Sequence, residues 1–452
     1  MSKLFKRILI ANRGDSAVRV IRACKELGIE TISIFSNVDR GALHTRLADH
    51  AVCIGDKASK DSYLNSYNII TVATEYGVDA IHPGIGFFSE STDFCELCKK
   101  CGIKYIGPGS ENIALMGDKI QAKKVAKLAN VPVIGDDSME VHSYHECLEY
   151  ARNVGFPIIL KAANGGGGKG IRVVERDQDL KQALEMCMKE SEKAFGSSSI
   201  LIERYIKHAK HIEVQVLADQ FGNVIHLGDR ECSIQRKNQK LIEETRCTTI
   251  SEENRQKMYQ GAIDICTSIG YVGVGTVEYI LDQDGMFYFM EMNTRLQVEH
   301  TITEMVTGID LVKEQIKVAQ GEPLTITQEN VHFHGYALQC RILSEYYNNG
   351  NYVSDFGEIT RLDLPGSFGV RVDCAYEANN VISPYYDSLL CKIACQALHK
   401  EEAVRKMIRC LDELRVEGVS TNKKLLLQIL KTSSFISGDF TTTFLEQEVL
   451  SK

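Results

Sequence analysis

The first part of the chain alternates short apolar runs with amphipathic stretches. The apolar runs cover residues 7–11, 31–35, 79–82 and 104–107. Between the first two runs, apolar positions recur at helical spacing over residues 17–27, and Gly28 ends the pattern. This order predicts a β-α-β unit and, with the later runs, a doubly wound domain over residues 1–114. The Gly-x-Gly-x-x-Gly fingerprint of dinucleotide-binding folds is absent, because Gly14 stands alone after the first strand.

A glycine-rich loop interrupts the next region. Spacing predicts a helix over residues 116–130 with Asp118 in its first turn, then strands over 156–162 and 171–175. Between these strands lies Gly165-Gly-Gly-Gly-Lys-Gly170, and so many glycines indicate close approach of a ligand or a moving lid. Its amides could cradle phosphate, although it is no Walker A loop, since a glycine stands where Ser or Thr would be. We favour a phosphate-covering lid over a flexible linker because lysines flank the loop.

The middle of the chain combines predicted strands with one polar block. Residues 200–206 predict a strand that leaves the lid, and residues 211–217 alternate strictly, which predicts a half-buried strand. The charged block 230–244 is typical of a solvated loop. Further elements expected from spacing are helices over 308–320 and 400–414 and a strand over 335–342.

Asp284-Gly285 is a strong signal for a two-residue hairpin turn, because both central positions of that turn need positive φ. The turn places Glu278 opposite Glu291 and puts Asn293 on the same face, since side chains alternate with period two. Like charges destabilise a ladder unless a cation lies between them. Carboxylate and amide oxygens suit Mg²⁺ or Mn²⁺, ions that accompany nucleoside phosphates. The hairpin therefore predicts a metal site; a solvated face with incidental acids is the alternative.

Composition narrows the class of protein. A chain of 452 residues is long enough for about three domains. Its net charge of −8 argues against a nucleic-acid-binding protein, which would normally be basic. No apolar run reaches the length of about 18 residues that a membrane span needs. We interpret residues 3–11 as a first strand rather than a signal peptide, because their apolar core is too short.

The 15 cysteines are spread along the chain, and an odd number favours free thiols in a reducing compartment over a disulfide scaffold. Cys95, Cys98 and Cys101 have iron–sulfur-like spacing, yet Tyr105 stands where the fourth cysteine would be. Because Cys98 and Cys101 share a helical face with Phe94, we expect these cysteines to be small core residues.

Several longer segments form a specific set. They are Ile10-Ala-Asn-Arg-Gly14, Arg22-Ala-Cys-Lys-Glu-Leu-Gly28, His82-Pro-Gly84, Met116-Gly-Asp-Lys119, the glycine-rich loop, Glu291-Met-Asn-Thr-Arg295 and Gln297-Val-Glu-His300. In this order the set resembles the biotin carboxylases of the ATP-grasp superfamily, over residues 1–450. The resemblance implies a chain of mixed α/β and α+β class. Its parts would be an N-terminal Rossmann-like doubly wound domain (1–114), an ATP-grasp region (115–320) with a mobile lid at about 135–205, and a C-terminal α+β domain (321–447).

The resemblance also implies an activity: ATP- and bicarbonate-dependent carboxylation of N1′ of biotin on a carrier protein, through carboxyphosphate. This would be the first half-reaction of acetyl-CoA carboxylase, or of another acyl-CoA carboxylase, in cytoplasmic fatty acid biosynthesis. Expected partners are a biotin carboxyl carrier protein, carboxyltransferase subunits and a second copy of the chain, without nucleic acid or membrane. No Met-Lys-Met biotinylation site is present, since Glu190 follows Met188-Lys189, so we expect carrier and transferase on separate chains.

The family's functional roles fall on matching positions. ATP is expected to contact Lys119, Lys161, Gly166, Gly167, Gly168, Glu203, Arg204, Tyr205, Ile206, His211, Gln235, Asn238, Glu278 and Glu291. Two Mg²⁺ or Mn²⁺ ions are expected on Glu278, Glu291 and Asn293. Bicarbonate is expected among Lys240, Arg295, Gln297, Val298 and Glu299. The catalytic residues would be Lys240, Arg295, Glu299 as general base, and Arg341 facing the biotin ureido oxygen near Ile85.

Three places depart from the family pattern. Ile85 stands where most of the family has tyrosine beside biotin, and Asn238 replaces a histidine expected near the ribose. Leu343-Ser-Glu-Tyr346 replaces the usual Asn-Ala-Glu-Asp. Two alternatives stay open. An ATP-grasp ligase with another acceptor would have no need of Arg295-x-Gln-Val-Glu299, and a non-catalytic nucleotide-binding paralogue would be expected to lose a metal ligand or the base.

Overall fold

The computed structural model describes residues 4–134, 139–162, 171–196 and 198–450. Its N-terminal strands are β1 (Arg7–Ile10), β2 (Glu30–Ser36), β3 (His50–Gly55), β4 (Ala80–His82) and β5 (Lys104–Tyr105). They form a parallel sheet in the order β3-β2-β1-β4-β5. The helices are α1 (Gly14–Glu26), α2 (Leu43–Leu47), α3 (Ser66–Glu75) and α4 (Thr92–Lys100). Ile8 packs with α1 on one face and Leu9 with α3 on the other, so the doubly wound prediction is confirmed.

Two short helices follow, α5 (Ser110–Gly117) and α6 (Lys119–Leu128). The single helix predicted over 116–130 is wrong, because the ψ of Asp118 is 111° and breaks the helical path. The Asp118 side chain instead caps α6, accepting the N–H groups of Ile120 at 2.9 Å and Gln121 at 3.0 Å. An N-cap of this kind satisfies backbone donors that the first helical turn leaves unpaired. The cap places Lys119 at the first position of α6.

Replacing the cap gives a first testable expectation. Asp118→Ala should lower the free energy of unfolding by about 1 kcal/mol, because two N–H groups lose their acceptor. Asp118→Asn should stay close to the wild type, since asparagine caps helices as well as aspartate does. Urea unfolding followed by circular dichroism measures both variants. Equal destabilisation by alanine and asparagine would show that the charge of Asp118, and not the cap, is what matters.

A second, smaller sheet follows α6. Its strands are β6 (Met139–Val141), β7 (Ile158–Ala162), β8 (Ile171–Val174) and β9 (Ile200–Arg204), and its helices are α7 (Tyr144–Val154) and α8 (Asp177–Phe195). The strands pair antiparallel in the order β6-β9-β7-β8. Leu160, Leu180 and Ile202 belong to a core that this unit builds by itself. The loop predicted to cover phosphate, with Gly166, Gly167 and Gly168, lies outside the described residues.

The largest sheet is antiparallel and has eight strands. The remaining strands of the chain are β10 (Lys210–Ala218), β11 (Val224–Arg236), β12 (Gln239–Thr245), β13 (Gly273–Leu281), β14 (Phe287–Asn293), β15 (Tyr336–Leu343), β16 (Glu345–Asn348), β17 (Asn351–Ser354), β18 (Gly357–Glu358), β19 (Arg361–Asp363), β20 (Val370–Cys374), β21 (Val381–Ile382), β22 (Leu389–Ala397) and β23 (Arg415–Glu417). The eight-stranded order is β14-β13-β10-β11-β12-β15-β22-β20. The β12–β15 pairing therefore joins strands of the predicted ATP-grasp region to strands of the predicted C-terminal region.

Six helices accompany this sheet. They are α9 (Glu252–Ser268), α10 (His300–Thr307), α11 (Leu311–Ala319), α12 (Lys400–Glu413), α13 (Lys423–Leu430) and α14 (Ser433–Ser437). The strand predicted over 335–342 and the helix predicted over 400–414 correspond to β15 and α12. The helix predicted over 308–320 starts only at Leu311, and α10 before it has no counterpart among the sequence predictions.

Two predictions about exposure are wrong because both segments form strands inside the large sheet and bury polar side chains. The strand at 211–217 is not half buried, because β10 lies in the middle of the sheet and Glu213 and Gln215 have no exposed surface. The block 230–244 is no solvated loop, since it forms most of β11 and β12. Several of its buried polar side chains bind polar groups on other strands. Arg230, which is fully buried, donates to Glu213 at 2.5 Å and to Gln215 at 2.8 Å.

The turn between β13 and β14 differs from the predicted one. The chain reverses through a wider loop, in which the N–H of Asp282 donates to the carbonyl of Met286 at 2.8 Å. Of the two residues expected at positive φ, Asp284 and Gly285, only Gly285 has it, at 80°. A hairpin with this loop would pair its strands one residue away from the predicted register.

A β-bulge nevertheless restores the predicted pairing. Near the turn, Tyr279 pairs with Phe289, and one extra residue of β14 follows before Glu278 pairs with Glu291. A bulge of this kind inserts a residue on one strand and shifts the register by one. The wrong turn and the unforeseen bulge therefore compensate, and the two carboxylates face each other as predicted.

The cysteines follow the sequence interpretation with one exception. All 15 are free thiols. Cys95 and Cys98 are buried on α4, as expected of small core residues. Cys101 is exposed, because α4 ends at Lys100 and Cys101 follows it as the C-cap residue.

Candidate active site

A partly buried lysine joins three buried carboxylates at the centre of the large sheet. Lys240 Nζ lies 2.6 Å from Glu213 Oε2 and 2.7 Å from Glu299 Oε1. Glu278 Oε1 lies 3.1 Å from the same nitrogen. Three strands, β10, β12 and β13, and the loop before α10 supply these groups. We call these four residues the Lys240 network. Carboxylates buried in this way persist only when they are paired and hydrogen-bonded.

The network determines the ionisation of Glu299, the residue predicted to be the base. Burial alone would raise its pKa, yet Lys240, Arg341 and Arg230 together lower the pKa of this carboxyl well below its usual range. The second oxygen of Glu299 lies 3.1 Å from Arg341 Nη2. Glu299 is therefore a carboxylate at neutral pH, with a cation on each oxygen. Only the ionised form can accept a proton.

The three predicted metal ligands meet at the β13–β14 pair. Glu278 and Glu291 are directly opposite each other, and Asn293 Nδ2 donates to Glu278 Oε1 at 2.8 Å. Burial and the charge of Glu278 raise the pKa of Glu291. A divalent cation would relieve this repulsion, and its preferred ligands are carboxylate and amide oxygens. The residues present thus fit Mg²⁺ or Mn²⁺.

Two neighbouring clusters also bring ligand atoms within 4.8 Å of one another. They are His211, Glu213 and Glu278, and Glu213, Cys232 and Glu299. Lys240 binds a carboxylate oxygen in both clusters. Its ammonium already supplies the positive charge there, so we assign no metal to either cluster.

Four of the five predicted bicarbonate residues, all except Lys240, lie on the loop between β14 and α10. Arg295 Nε lies 2.8 Å from Glu90 Oε2. The Nε2 atom of Gln297 is buried and has no hydrogen-bond partner within the described ranges. An unpaired buried donor is unfavourable, and an anionic ligand would satisfy it. The carbonyl of Val298 accepts from Lys392 at 3.2 Å, which holds the loop against β22.

Lysines surround the predicted phosphate region. Glu203 on β9 forms ion pairs with Lys161 on β7 at 2.7 Å and with Lys123 on α6. Burial would raise the pKa of Glu203, but these two lysines lower it to about 2. Lys119 Nζ donates to the carbonyl of Ala162 at 3.5 Å. Lys119 and Lys161 therefore lie at the end of β7, next to the last residue described before the glycine-rich segment.

The remaining predicted nucleotide contacts lie on two other segments. The first, at and just beyond the end of β9, holds Arg204, Tyr205 and Ile206. The second is the β10–β11 pair, where His211 Nδ1 lies 2.7 Å from Gln235 Nε2. The other ring nitrogen of His211 lies 2.9 Å from Glu278 Oε2. Asn238 is exposed in the β11–β12 turn with φ 62°, a conformation that asparagine adopts readily.

Ile85 lies on a tightly packed loop after β4. Its N–H donates to Ser16 Oγ at 3.1 Å, and its carbonyl accepts from Asn12 Nδ2 at 2.9 Å. Gly84 before it has φ +66°, and a Cβ there would lie 2.6 Å from Ser16 Oγ. The Ile85 side chain packs partly against the core beneath the sheet. Backbone contacts therefore fix this position, and a new side chain at residue 85 can change the surface without moving the loop.

Sequence reasoning missed five charged residues of this region. They are Glu90, Lys123, Glu213, Arg230 and Glu243. Glu213 belongs to the same alternating polar face as His211, so the alternation contained a signal for it. Arg230 and Glu243 were inside the block interpreted as a loop. Nothing in the sequence connects Glu90 with Arg295, which is more than two hundred residues away.

Comparison with known proteins agrees with this geometry. The family model described as "Carbamoyl-phosphate synthase L chain, ATP binding domain" matches residues 118–327. Those described as "Biotin carboxylase, N-terminal domain" and "Biotin carboxylase C-terminal domain" match residues 4–113 and 339–447. Biotin carboxylase 1 of Bacillus subtilis is 47% identical over 444 residues, which cover 98% of each chain.

Two solved structures are similar along nearly the whole chain. The biotin carboxylase–β,γ-ATP complex from Campylobacter jejuni has a TM-score of 0.96 at 42% identity, covering 98% of this chain and 99% of that one. The biotin carboxylase domain dimer of Hydrogenobacter thermophilus 2-oxoglutarate carboxylase, in complex with MgADP, ADP and bicarbonate, has a TM-score of 0.95 at 44% identity, with 98% of each chain covered.

These findings define the class first: an ATP-dependent ligase built on the ATP-grasp fold. The three matched regions and the identity along nearly all of the chain then define the family. The chain belongs to the biotin carboxylase family. The fold class implied by the sequence resemblance is confirmed. Within the described residues, no helix is both long and apolar enough to cross a membrane.

Proposed function

We propose that this chain carboxylates N1′ of biotin on a carrier protein, with ATP and bicarbonate as co-substrates. The observation that carries the proposal is the position of Glu299. Its two oxygens lie 2.7 Å from Lys240 and 3.1 Å from Arg341. Glu299 lies on the loop that also presents Arg295 and Gln297, whose Nε2 atom has no hydrogen-bond partner among the described residues. A base, a cation and an amide donor on one loop, with two further cations beside the base, suit an anion that must lose a proton. Bicarbonate is such an anion.

In the proposed reaction, Arg295, Lys240 and the Gln297 amide hold bicarbonate beside Glu299. Glu299 accepts the bicarbonate proton, and the resulting oxygen attacks the γ-phosphorus of ATP. The bond from that phosphorus to the bridging oxygen breaks, which yields carboxyphosphate and ADP. Lys119 and Lys161 would neutralise the charge of the phosphates, and their positions beside the end of β7 support this. Glu278, Glu291 and Asn293 would hold Mg²⁺ or Mn²⁺, which neutralises phosphate charge when bound.

The second half of the reaction uses Arg341. Carboxyphosphate breaks down to CO₂ and phosphate, and the phosphate removes the N1′ proton of biotin. The ureido oxygen then carries negative charge, which the guanidinium of Arg341 stabilises. The nitrogen attacks CO₂ to give carboxybiotin.

We further propose that the chain works as a homodimer with a biotin carboxyl carrier protein and carboxyltransferase subunits, as the biotin carboxylase component of acetyl-CoA carboxylase. The Hydrogenobacter thermophilus relative is described as a dimer and as part of a 2-oxoglutarate carboxylase. Light scattering tests the dimer. Transfer of the carboxyl group to acetyl-CoA or to 2-oxoglutarate, with the matching transferases, tests the assembly.

The deciding experiment measures bicarbonate-dependent ATP hydrolysis with and without free biotin. Stimulation by biotin supports biotin carboxylation. Activity only with a different acceptor would instead support a divergent ATP-grasp ligase. Absence of hydrolysis in every mixture would support a non-catalytic nucleotide-binding paralogue. The predicted metal ligands and the predicted base are all present, which favours the first outcome.

The departure at residue 85 gives another expectation. Ile85→Tyr should lower the apparent KM for free biotin by about two- to tenfold, because an aromatic contact contributes about 0.5–1.5 kcal/mol. The backbone bonds to Ser16 and Asn12 should keep the loop in place. Ile85→Leu serves as the control, since it changes shape without adding a ring. Steady-state kinetics at saturating ATP and bicarbonate measure the change, and an unaltered KM would mean that position 85 does not contact biotin.

A further inference from the structure

A second carboxylate, Glu243, holds the arginine proposed to face biotin. Arg341 Nε lies 2.5 Å from Glu243 Oε1, and Arg341 Nη2 lies 2.5 Å from the same oxygen. Glu243 has no exposed surface, whereas the side chain of Arg341 is 17% exposed. The third nitrogen, Nη1, has no hydrogen-bond partner among the residues that the structure describes. Glu243 therefore binds the inner edge of the guanidinium and leaves one terminal amino group unoccupied.

The other oxygen of Glu243 is also held. Gln339 lies directly opposite Glu243 on β15, and its Nε2 donates to Glu243 Oε2 at 3.0 Å. The Gln339 carbonyl oxygen in turn accepts from the hydroxyl of Thr301 on α10. Arg341 is two residues beyond Gln339 on the same strand, so both side chains point to one face of the sheet. Residues of two elements, β15 and α10, thus fix the position of Glu243.

The charges around Arg341 indicate what this arrangement does. Arg341 contacts two buried carboxylates, Glu243 and Glu299. In the proposed reaction Glu299 accepts a proton and loses its charge, so its attraction for the guanidinium weakens. Glu243 then remains bonded to Arg341 through Nε and Nη2. A buried carboxylate is expensive to desolvate and is strongly destabilising when left unpaired, which fits a permanent bond to this arginine.

We propose that Glu243 is a positioning residue for the biotin half-reaction. It anchors Arg341 through Nε and Nη2, so that the guanidinium stays at the biotin site after Glu299 has been protonated. Gln339 supports it by holding the second oxygen. This inference rests on the proposed function and adds a role for two residues that do not themselves contact bicarbonate or ATP in it.

Glu243→Gln tests the role, because it keeps the shape of the side chain and removes the charge. The biotin-dependent rate should fall by about 10- to 100-fold, the usual loss when a supporting partner behind a site is removed. Biotin-independent, bicarbonate-dependent ATP hydrolysis should lose at least about tenfold less of its rate, since Arg341 acts in it only through Glu299, which Lys240 also holds. The loss should appear in kcat for biotin carboxylation more than in the KM for ATP. Glu243→Asp, which restores the charge, should recover part of the biotin-dependent rate.

Glu244→Gln is the matched control. Glu244 is the next residue of β12, is equally buried, and binds Lys400 at 3.1 Å on the other face of the strand. It should leave the ratio of biotin-dependent to biotin-independent turnover at the wild-type value. The proposal is overturned if Glu243→Gln changes that ratio no more than Glu244→Gln does, or if Glu243→Asp rescues nothing.

A second variant keeps the test decisive if Glu243→Gln does not fold. Gln339→Met removes the bond to Glu243 Oε2 and should lower the same ratio, although by less. An unchanged ratio in that variant would also count against the proposal. Failure of the proposed function looks different, because the wild-type protein would then show no hydrolysis stimulated by biotin.

Discussion

Glu299→Gln is expected to abolish bicarbonate-dependent ATP hydrolysis while the protein still binds ATP. Glutamine cannot accept the bicarbonate proton, and loss of a general base lowers rates by about 10²–10⁴-fold. Lys240 keeps Glu213 and Glu278 as partners, so the buried network should survive the substitution. The affinity for ATP should stay within about threefold of the wild type, or about 0.7 kcal/mol.

Two measurements check this expectation. Coupled assays follow ADP release over a range of bicarbonate concentrations, and calorimetry measures ATP binding. Glu253→Gln, on the exposed face of α9 and paired with Lys257, is the control for removal of a carboxylate elsewhere. A large fall in ATP affinity in Glu299→Gln would assign Glu299 to the nucleotide site instead of to bicarbonate.

Lys240→Met should strongly lower the free energy of unfolding. The variant leaves three buried carboxylates without their shared cation. Removal of one partner of a buried ion pair destabilises proteins by about 3–5 kcal/mol. Lys237→Met, in the adjoining exposed turn, should change the free energy of unfolding by less than about 0.5 kcal/mol. Urea titration without nucleotide or metal measures both variants.

The stability difference between the wild type and Lys240→Met should depend on pH in a definite direction. In the wild type, despite burial, Lys240 and other cations hold the pKa of Glu299 and of Glu278 below their usual range. These groups therefore stabilise the fold above their unfolded pKa of about 4.3, and the stabilisation is lost as pH falls through the folded pKa. Without Lys240, burial should raise the pKa of Glu299 and of Glu278. The buried carboxylates of the variant then protonate as the pH falls, and the variant recovers stability. The difference between wild type and variant should narrow from pH 8 to pH 5, and a constant difference would show that Lys240 acts by packing alone.

Elements with one buried face were predictable from periodicity, whereas the centre of the large sheet was not. Helix α12 displays its buried positions at helical spacing, and the structure has it. Strand β1, which is buried on both faces, was predictable from its continuous apolar run instead. Strands β10 to β12 bury charged residues on the face of the site, and periodicity assigns such residues to water. The signal that a charge is buried is its partner on another strand, for example Arg230 with Glu213, and single-sequence spacing does not contain it.

In the candidate site too, some residues were predictable from the sequence and others were not. Glu278, Glu291 and Asn293 followed from local geometry, since one hairpin contains them all. Their register was right only because a bulge corrected for the wrong turn. Lys240, Glu299 and Arg341 came from the family resemblance, because three separate segments supply them. Residues that support these groups, such as Glu243 and Glu90, belong to neither category, and only the folded chain connects them with the arginines that they hold.

The pairing of β12 with β15 has a consequence for the way the chain can be divided. A fragment that ended before β15 would leave β12 as an edge strand, with its backbone N–H and C=O groups unpaired along one side. Edges of this kind recruit other strands, so the fragment would be prone to self-association. The same cut would separate Lys240 and Glu243 from Arg341. The boundary between the two regions therefore runs through the candidate active site, and neither region contains all of its residues.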